Sequence, residues 1–234
     1  MAGVPRFSVI IPTHNRPHFL AEAVQSVMMQ EKSVFEIIVV NDGDPLPPFS
    51  ADSRLRHLEN ARRGAIAARN LGIGAARGDV IMWLDDDDRL LLPDYLMKAD
   101  DALRSGAGLV HCDGTLVFED GRAERAFAHD ADVNSLAGNN TILMSGACYP
   151  RRLHEVLGNF DAALPFYADW DWYLRVARAG HVLARVREPA VAIRIHAANT
   201  SGDATLAARQ ANLDALSHKH GLGKLVLKTH LDFV

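Results

Sequence analysis

The chain has 234 residues, which suits one α/β domain with a full core and leaves little for a second. Its 48% hydrophobic and 23% charged residues are those of an ordinary globular fold, and a formal net charge of −4 leaves no basic surplus to neutralise a nucleic acid strand. Two cysteines, Cys112 and Cys148, stand in apolar stretches without zinc spacing or a disulfide framework, and read as buried reduced thiols. The opening MAGVPRFSVIIPTHNR is not a secretory signal, and no stretch approaches the roughly 18 apolar residues of a transmembrane segment. The expectation is a cytoplasmic protein, with peripheral docking at the inner membrane surface left open.

The first half alternates apolar runs with helical spacing, the pattern of a mostly parallel sheet flanked by helices. Phe7 to Pro12 reads as a buried strand, and Pro17 to Gln30 as a helix with Leu20, Val24, Val27 and Met28 on one face. Phe35 to Val40 is the second strand, ending in Asn41-Asp42-Gly43. After a Pro-rich loop come a short strand near Leu55 to Leu58, an Ala-rich helix over Gly64 to Arg77, and a strand over Val80 to Leu84. That strand runs into four aspartates, Asp85 to Asp88.

The second half is less regular. Pro93 to Ser105 reads as a helix with Pro at its first position, and Gly108 to Cys112 and Thr115 to Phe118 as strands. Asn140 to Tyr149 reads as another strand, Arg151 to Leu157 as a short helix, and Asp169 to Ala179 as a helix closed by Gly180. Val182 to Arg187 and Ala190 to Ile195 read as a strand pair around Glu188-Pro189, and Asp203 to His220 as the last helix. The apolar tail after Gly221 is suited to docking, or to pairing two subunits as a homodimer. Phe127 to Asn140 has little pattern and reads as a flap. The whole of 1–234 is one domain, with a nucleotide-binding half to about residue 105, an acceptor half to about 220, and the tail.

Open parallel sheets bind ligands at the carboxyl ends of their strands. Three such ends here are polar: Thr13-His14-Asn15, Asn41-Asp42 and Asp85 to Asp88. Adjacent carboxylates raise one another's pKa unless a cation sits among them. A hard divalent ion with oxygen ligands, Mg²⁺ or Mn²⁺, is the natural partner. The competing reading is a solvated acidic turn that caps the next helix, a role that suits Asp88.

The stretches SVIIPTHNR, EIIVVNDG, GAIAARNLGIGAARGDVIMWLDDDD, LGNFDAALPFYADWDWYLRVARAG and IRIHAANTS follow one another over roughly residues 6 to 200. In order and spacing they resemble the family 2 glycosyltransferases of the GT-A fold, which are inverting and use nucleotide-diphosphate sugars. The resemblance implies that Pro12, Thr13 and Asn15 hold the nucleotide and that Asp42 reads the base. Arg69 and Asn70 would also face the nucleotide, along with Asp85 and Asp86. Asp87 would ligate the metal, joined by His196, and Asp88 would contact the sugar. Asp169 corresponds to the general base, with Asp171 as rival, although each is also suited to satisfying the free amides of a first helical turn. The family's Glu before that Asp is Ala168 here, which puts the acceptor contacts there in doubt. Phe166, Tyr167 and Trp170 are the aromatic candidates for acceptor contact, and Arg151 and Arg152 are weighed against donor phosphate or an acidic acceptor.

The implied reaction is one displacement at the anomeric carbon, from a donor that is commonly a UDP-sugar to a hydroxyl of a carbohydrate or lipid-linked acceptor. Two rivals remain. A nucleotidyltransferase would need a Gly-rich phosphate loop, which SVIIPTHNRPHFL lacks. A non-catalytic nucleotide-sugar-binding or assembly subunit has only Ala168 in its favour.

Overall fold

The computed structural model describes residues 4–31, 34–47, 52–196 and 205–233. Its sheet begins with four parallel strands in the order β3 (Leu55–Glu59), β2 (Phe35–Asn41), β1 (Phe7–Thr13) and β4 (Val80–Trp83). β2 and β4 are buried along their whole length, which is why they read as unbroken apolar runs rather than alternating ones. The sheet continues through β8 (Cys148–Pro150), β6 (Ala107–Phe118), β9 (Val182–Ile195) and β5 (Arg89–Leu90), with β7 (Arg125–Phe127) on the edge of β6. β8 is antiparallel to both neighbours and β9 runs parallel to β6, so this half is mixed.

Helices cover both faces. Along β1, Val9 and Ile11 face α1 (Pro17–Met28) and α3 (Tyr95–Arg104), whereas Ile10 faces α2 (Ala65–Ala75), α6 (Ala168–Arg178) and α7 (Leu206–His220). Pro17 opens α1 at a position where its missing N–H costs nothing. Pro93 does not do the same for α3, because Asp94 is the N-cap and the helix starts at Tyr95.

Several expected boundaries shift for one reason. The two strand pairs expected over 108–118 and 182–195 are two long strands, β6 and β9, laid side by side. Asp113-Gly114 and Glu188-Pro189, which look like breaks, fall at the same bulge, where the register jumps from Cys112↔Val186 to Asp113↔Pro189 and Gly114↔Val191. The strand expected over Asn140 to Tyr149 shrinks to β8, and 140–147 is irregular backbone at the sheet's carboxyl edge. The expected flap starts at the last residue of β7 and carries the short α4 (Val133–Leu136), whose capping box has Asp132 accepting from the Ser135 N–H at 2.7 Å. Arg185 holds its Asp130 at 3.0 Å. Of the last predicted helix, the start at Asp203 lies outside the described residues.

The tail docks on its own chain. Leu222, Leu225 and Leu227 pack against the α6/α7 core, and Phe233 packs against the opposite core with its ring edge-on to Phe127. No described helix is long and apolar enough to cross a membrane.

Gly78, between α2 and β4, lets β4 pass close to β1. A Cβ there would stand 2.7 Å from both the Phe7 carbonyl carbon and the Ser8 nitrogen, which are backbone atoms that cannot swing aside. Gly78→Ala should therefore cost about 1–3 kcal/mol, read as a drop in chemical-denaturation midpoint with an unchanged slope.

Candidate active site

The carboxyl ends of β1, β2 and β4 meet at one cavity of about 810 Å³. Its other walls are 139–145, the start of α6, the end of β9, α7 and the tail. The β1 end is tied to the β2 end: the His14 ring nitrogen Nδ1 lies 3.0 Å from the Asp42 carbonyl, and Asn15 Oδ1 accepts the Asp44 N–H at 2.7 Å. Asn15 holds this place with φ of 57°, a left-handed conformation that Asn tolerates. A side chain at Gly43 would collide with Asn15 Oδ1 at 2.2 Å, so the turn needs glycine. Asp42 is fixed from below by Asn60 Nδ2 at 2.5 Å and by the Gly64 N–H at 3.0 Å, at the start of α2.

The four aspartates point four ways. Asp85 receives Arg69 Nη2 at 2.6 Å and lines the cavity. Asp86 turns away and accepts Thr13 Oγ1 at 2.6 Å and Arg16 Nη1 at 3.3 Å; burial pushes its carboxyl up to about 6. Asp87 lines the cavity, with Arg16 Nη1 at 2.6 Å and His196 Nε2 at 3.0 Å on the same oxygen. Asp88 also reaches the wall but is bound by Ser145 Oγ at 2.5 Å and by the Arg194 N–H at 3.0 Å. Burial and then its charged neighbours Asp87 and Asp85 raise its pKa well above the ordinary value.

Asp169 lines the same cavity from the first turn of α6, half-buried, and accepts Asn140 Nδ2 at 2.8 Å. Burial raises its pKa, against the opposing pull of the Trp170 N–H, the Arg69 charge and Asn140. Arg69 thus acts on Asp85 and Asp169 together. Its Nε is buried without a hydrogen-bond partner, a cost that a ligand oxygen would relieve. Asp171, the rival, is fully buried on another face of α6 and held by Arg175, Lys219 and His220. It lies off the cavity.

Most of the expected residues converge on this cavity: Pro12, Thr13, Asn15, Asp42, Arg69, Asp85, Asp87, Asp88, Phe166, Tyr167, Asp169 and Trp170. Asn70, Asp86 and His196 do not line it. Asn70 spends both ends of its amide on the Phe160 backbone, at 3.0 and 3.1 Å, and fastens α2 to the loop before α6. His196 stands behind Asp87. Trp170 is buried with its Nε1 on the Leu136 carbonyl at 2.8 Å, which makes it mainly a packing residue. Arg151 and Arg152 sit at the opposite end of the sheet, where Arg151 Nε donates to the Gly78 carbonyl. Sequence reasoning missed Arg16, Asn140, Ser145, Arg209 and Lys228. Only Arg16 stood in a quoted motif; the others reach the cavity through tertiary packing alone.

Among the described residues, no three His, Cys, Asp or Glu side chains form a metal-binding group. The donor set still fits a divalent ion of the Mg²⁺ or Mn²⁺ type, which commonly takes one or two carboxylates and draws its remaining ligands from substrate phosphates and water.

Acidic strand ends opening on one cavity at the carboxyl edge of the sheet are the arrangement in which an open α/β sheet binds its ligand. The glycosyl transferase family 2 profile matches residues 8–144, more than half of the chain, and the chain belongs to that family. The uncharacterised glycosyltransferase YwdF of Bacillus subtilis is 38% identical over 240 residues, covering 95% of this chain and 87% of its own. An uncharacterised glycosyltransferase of Rickettsia felis is 40% identical over 89 residues, covering 36% of this chain and only 15% of its own length. Among solved structures, S. aureus TarS 1–349 in complex with UDP-GlcNAc aligns with a TM-score of 0.70 at 16% identity, over 92% of this chain and 66% of that one. The mannosyltransferase PcManGT from Pyrobaculum calidifontis, in complex with GDP-Man and Mn²⁺, aligns with a TM-score of 0.61 at 20% identity, over 92% of this chain and 64% of that one. This chain spans just under two thirds of each, and the likeness is one of fold.

Proposed function

We propose that this chain transfers a sugar, with inversion and metal assistance, from a nucleoside diphosphate donor such as a UDP-sugar to a hydroxyl of a carbohydrate or lipid-linked acceptor. The observation that carries the reading is that Asp169 lines one cavity with Asp85 and Asp87, with Arg69 bonded to Asp85 and its charge acting on Asp169. The UDP-GlcNAc bound to TarS and the GDP-Man and Mn²⁺ bound to PcManGT support the donor class and the metal.

The chain's own residues divide the work. Pro12, Thr13 and Asn15 border the nucleoside, and Asp42, held by Asn60 and the Gly64 N–H, keeps lone pairs for a base N–H. Asp87 with His196 would hold Mg²⁺ or Mn²⁺, which offsets charge on the departing diphosphate. Asp85 keeps Arg69 close to those phosphates. Asp169 takes the proton from the acceptor hydroxyl as the new bond forms, a contribution of about 10²–10⁴-fold. With base and leaving group on opposite faces of the sugar, the anomeric configuration inverts, and no covalent sugar–enzyme intermediate is needed. Phe166 and Tyr167, half-buried at the wall close to Asp169, are the aromatic contacts for the acceptor.

Calorimetric titration of UDP, dTDP and GDP, each with and without Mn²⁺, tests the donor half. One nucleotide should bind in a metal-dependent way, and Asp87→Ala should weaken it at least about tenfold. Failure of all three to bind would overturn the donor assignment.

A further inference from the structure

Asn140 borders the cavity, half-buried, near the start of the irregular backbone that leads from α4 to β8. Its Nδ2 donates to Asp169 Oδ2 at 2.8 Å, and among the described residues it is the one side chain that hydrogen-bonds that carboxylate. The amide is itself oriented, because its Oδ1 accepts the Ile142 N–H at 3.4 Å and leaves the nitrogen end for Asp169. The backbone on either side is pinned. Upstream, the Leu136 carbonyl accepts Trp170 Nε1 at 2.8 Å, and Asp130 is held by Arg185 Nη1 at 3.0 Å and Arg187 Nη2 at 2.8 Å. Next to it, Asn139 Oδ1 accepts Lys228 Nζ at 2.6 Å, and downstream Leu143 is buried. The other groups that act on Asp169 or feel its charge are Arg69 from α2, the Trp170 N–H, and the phenols of Tyr167 and Tyr173, with Arg209 of α7 acting on Tyr167.

Arg69 hydrogen-bonds Asp85 and acts on Asp169 through its charge, which sets no direction for the carboxylate. A hydrogen bond to an ionised carboxylate is directional and roughly twice as strong as one between neutral groups. An amide supplies that bond without titrating, so it does not compete for the proton that a base must take. We propose that Asn140 is a positioning residue for sugar transfer: its N–H anchors Asp169 Oδ2 and so presents the carboxylate to the acceptor hydroxyl. As the acceptor oxygen bonds to the anomeric carbon and the bond to the diphosphate breaks, the hydroxyl proton passes to the anchored carboxylate. This rests on the assignment of Asp169 as base above.

The test compares wild type, Asn140→Ala, Asn140→Asp and Asp169→Asn. Asn140→Asp has the same shape and keeps an oxygen for the Ile142 N–H, but it turns the donor into a second carboxylate against the first. The assay is release of nucleoside diphosphate from UDP-glucose, UDP-GlcNAc and GDP-Man with Mn²⁺, with water in place of the acceptor. Both Asn140 variants should lower kcat by about 10–100-fold at pH 7, with the donor KM within about twofold of wild type. Their acid limb of kcat/KM should move to higher pH, by about one unit in Asn140→Ala and further in Asn140→Asp, where two adjoining carboxylates share a proton. A merely structural amide would lower kcat and melting temperature and leave the limb in place, and that result overturns the proposal. So do wild-type rates in both Asn140 variants when Asp169→Asn is slow. Wild-type turnover by Asp169→Asn instead removes the base reading, and the Asn140 role with it. Should wild type hydrolyse none of the three donors, a carboxyl ¹³C NMR titration decides without a ligand, with Asp169 assigned by its loss in Asp169→Asn. The Asp169 resonance should titrate at higher pH in both Asn140 variants than in wild type, and an unmoved titration overturns the proposal.

Discussion

Asp169→Asn should lower the rate of sugar transfer by about 10²–10⁴-fold while leaving nucleotide affinity within about twofold of wild type. The amide is isosteric and keeps a carbonyl oxygen for Asn140 Nδ2, so the wall of α6 stays in place while its only change is the loss of a proton acceptor. The pH profile gives an independent check. Burial holds the Asp169 pKa above its ordinary value, so the acid limb of kcat/KM should lie at higher pH than an exposed carboxylate would give, and should vanish in the variant. The same shift fixes the sign of the stability change. An acid whose folded pKa is raised binds its proton more tightly in the native state, so native stability falls as pH rises through that window. Above it, the ionised carboxylate is a net cost, and Asp169→Asn should melt no lower than wild type at pH 7. A melting temperature well below wild type, or transfer at the wild-type rate, would remove Asp169 from the role of base.

Two residues further along the same helix, the opposite outcome is expected. Asp171→Ala should destabilise the fold by about 3 kcal/mol, lowering Tm by about 6–12 °C, because a fully buried carboxylate leaves Arg175, Lys219 and His220 without their shared counter-charge. Burial alone would raise the Asp171 pKa, but hydrogen bonds from His220 and Lys219 and the charge of Arg175 overcome it and hold the group down at about 2. A depressed acid contributes stability that is fully present above its unfolded value near 3.8 and is lost as pH falls through about 2. The pH-dependent part amounts to about 2 kcal/mol. Acid melts of wild type and variant should therefore draw together as pH falls from about 4 to about 2, leaving a residual gap of about 1 kcal/mol. Parallel melts down to pH 2 would show that the α6–α7 ion group does not stabilise the fold.

The sequence announces these two aspartates in the same words, and only packing separates them. In ADWDWYL, positions 169 and 171 differ by about 200° around a helix, so one meets the cavity and the other meets α7. The same limit runs through the rest of the fold. β1, β2 and β4 are legible because strands buried on both faces must be continuous apolar runs. β6 and β9 look broken because a bulge uses the same residue types as a turn, Asp-Gly and Glu-Pro, and a single sequence does not reveal that the two interruptions are partners. At the site, the strand-end carboxylates are visible locally, since each follows its own apolar run. Arg209 and Lys228 have no such marker, because their place at the cavity is set by how α7 and the tail fold back.

That returning tail also decides how the protein should be handled. Phe233 sits among Phe127 and His129 while bordering the cavity, so an affinity tag appended downstream of it would start beside the cavity wall. β1 enters the sheet at the end opposite its carboxyl terminus, which makes the upstream end of the chain the place to attach purification handles or surface-immobilisation linkers.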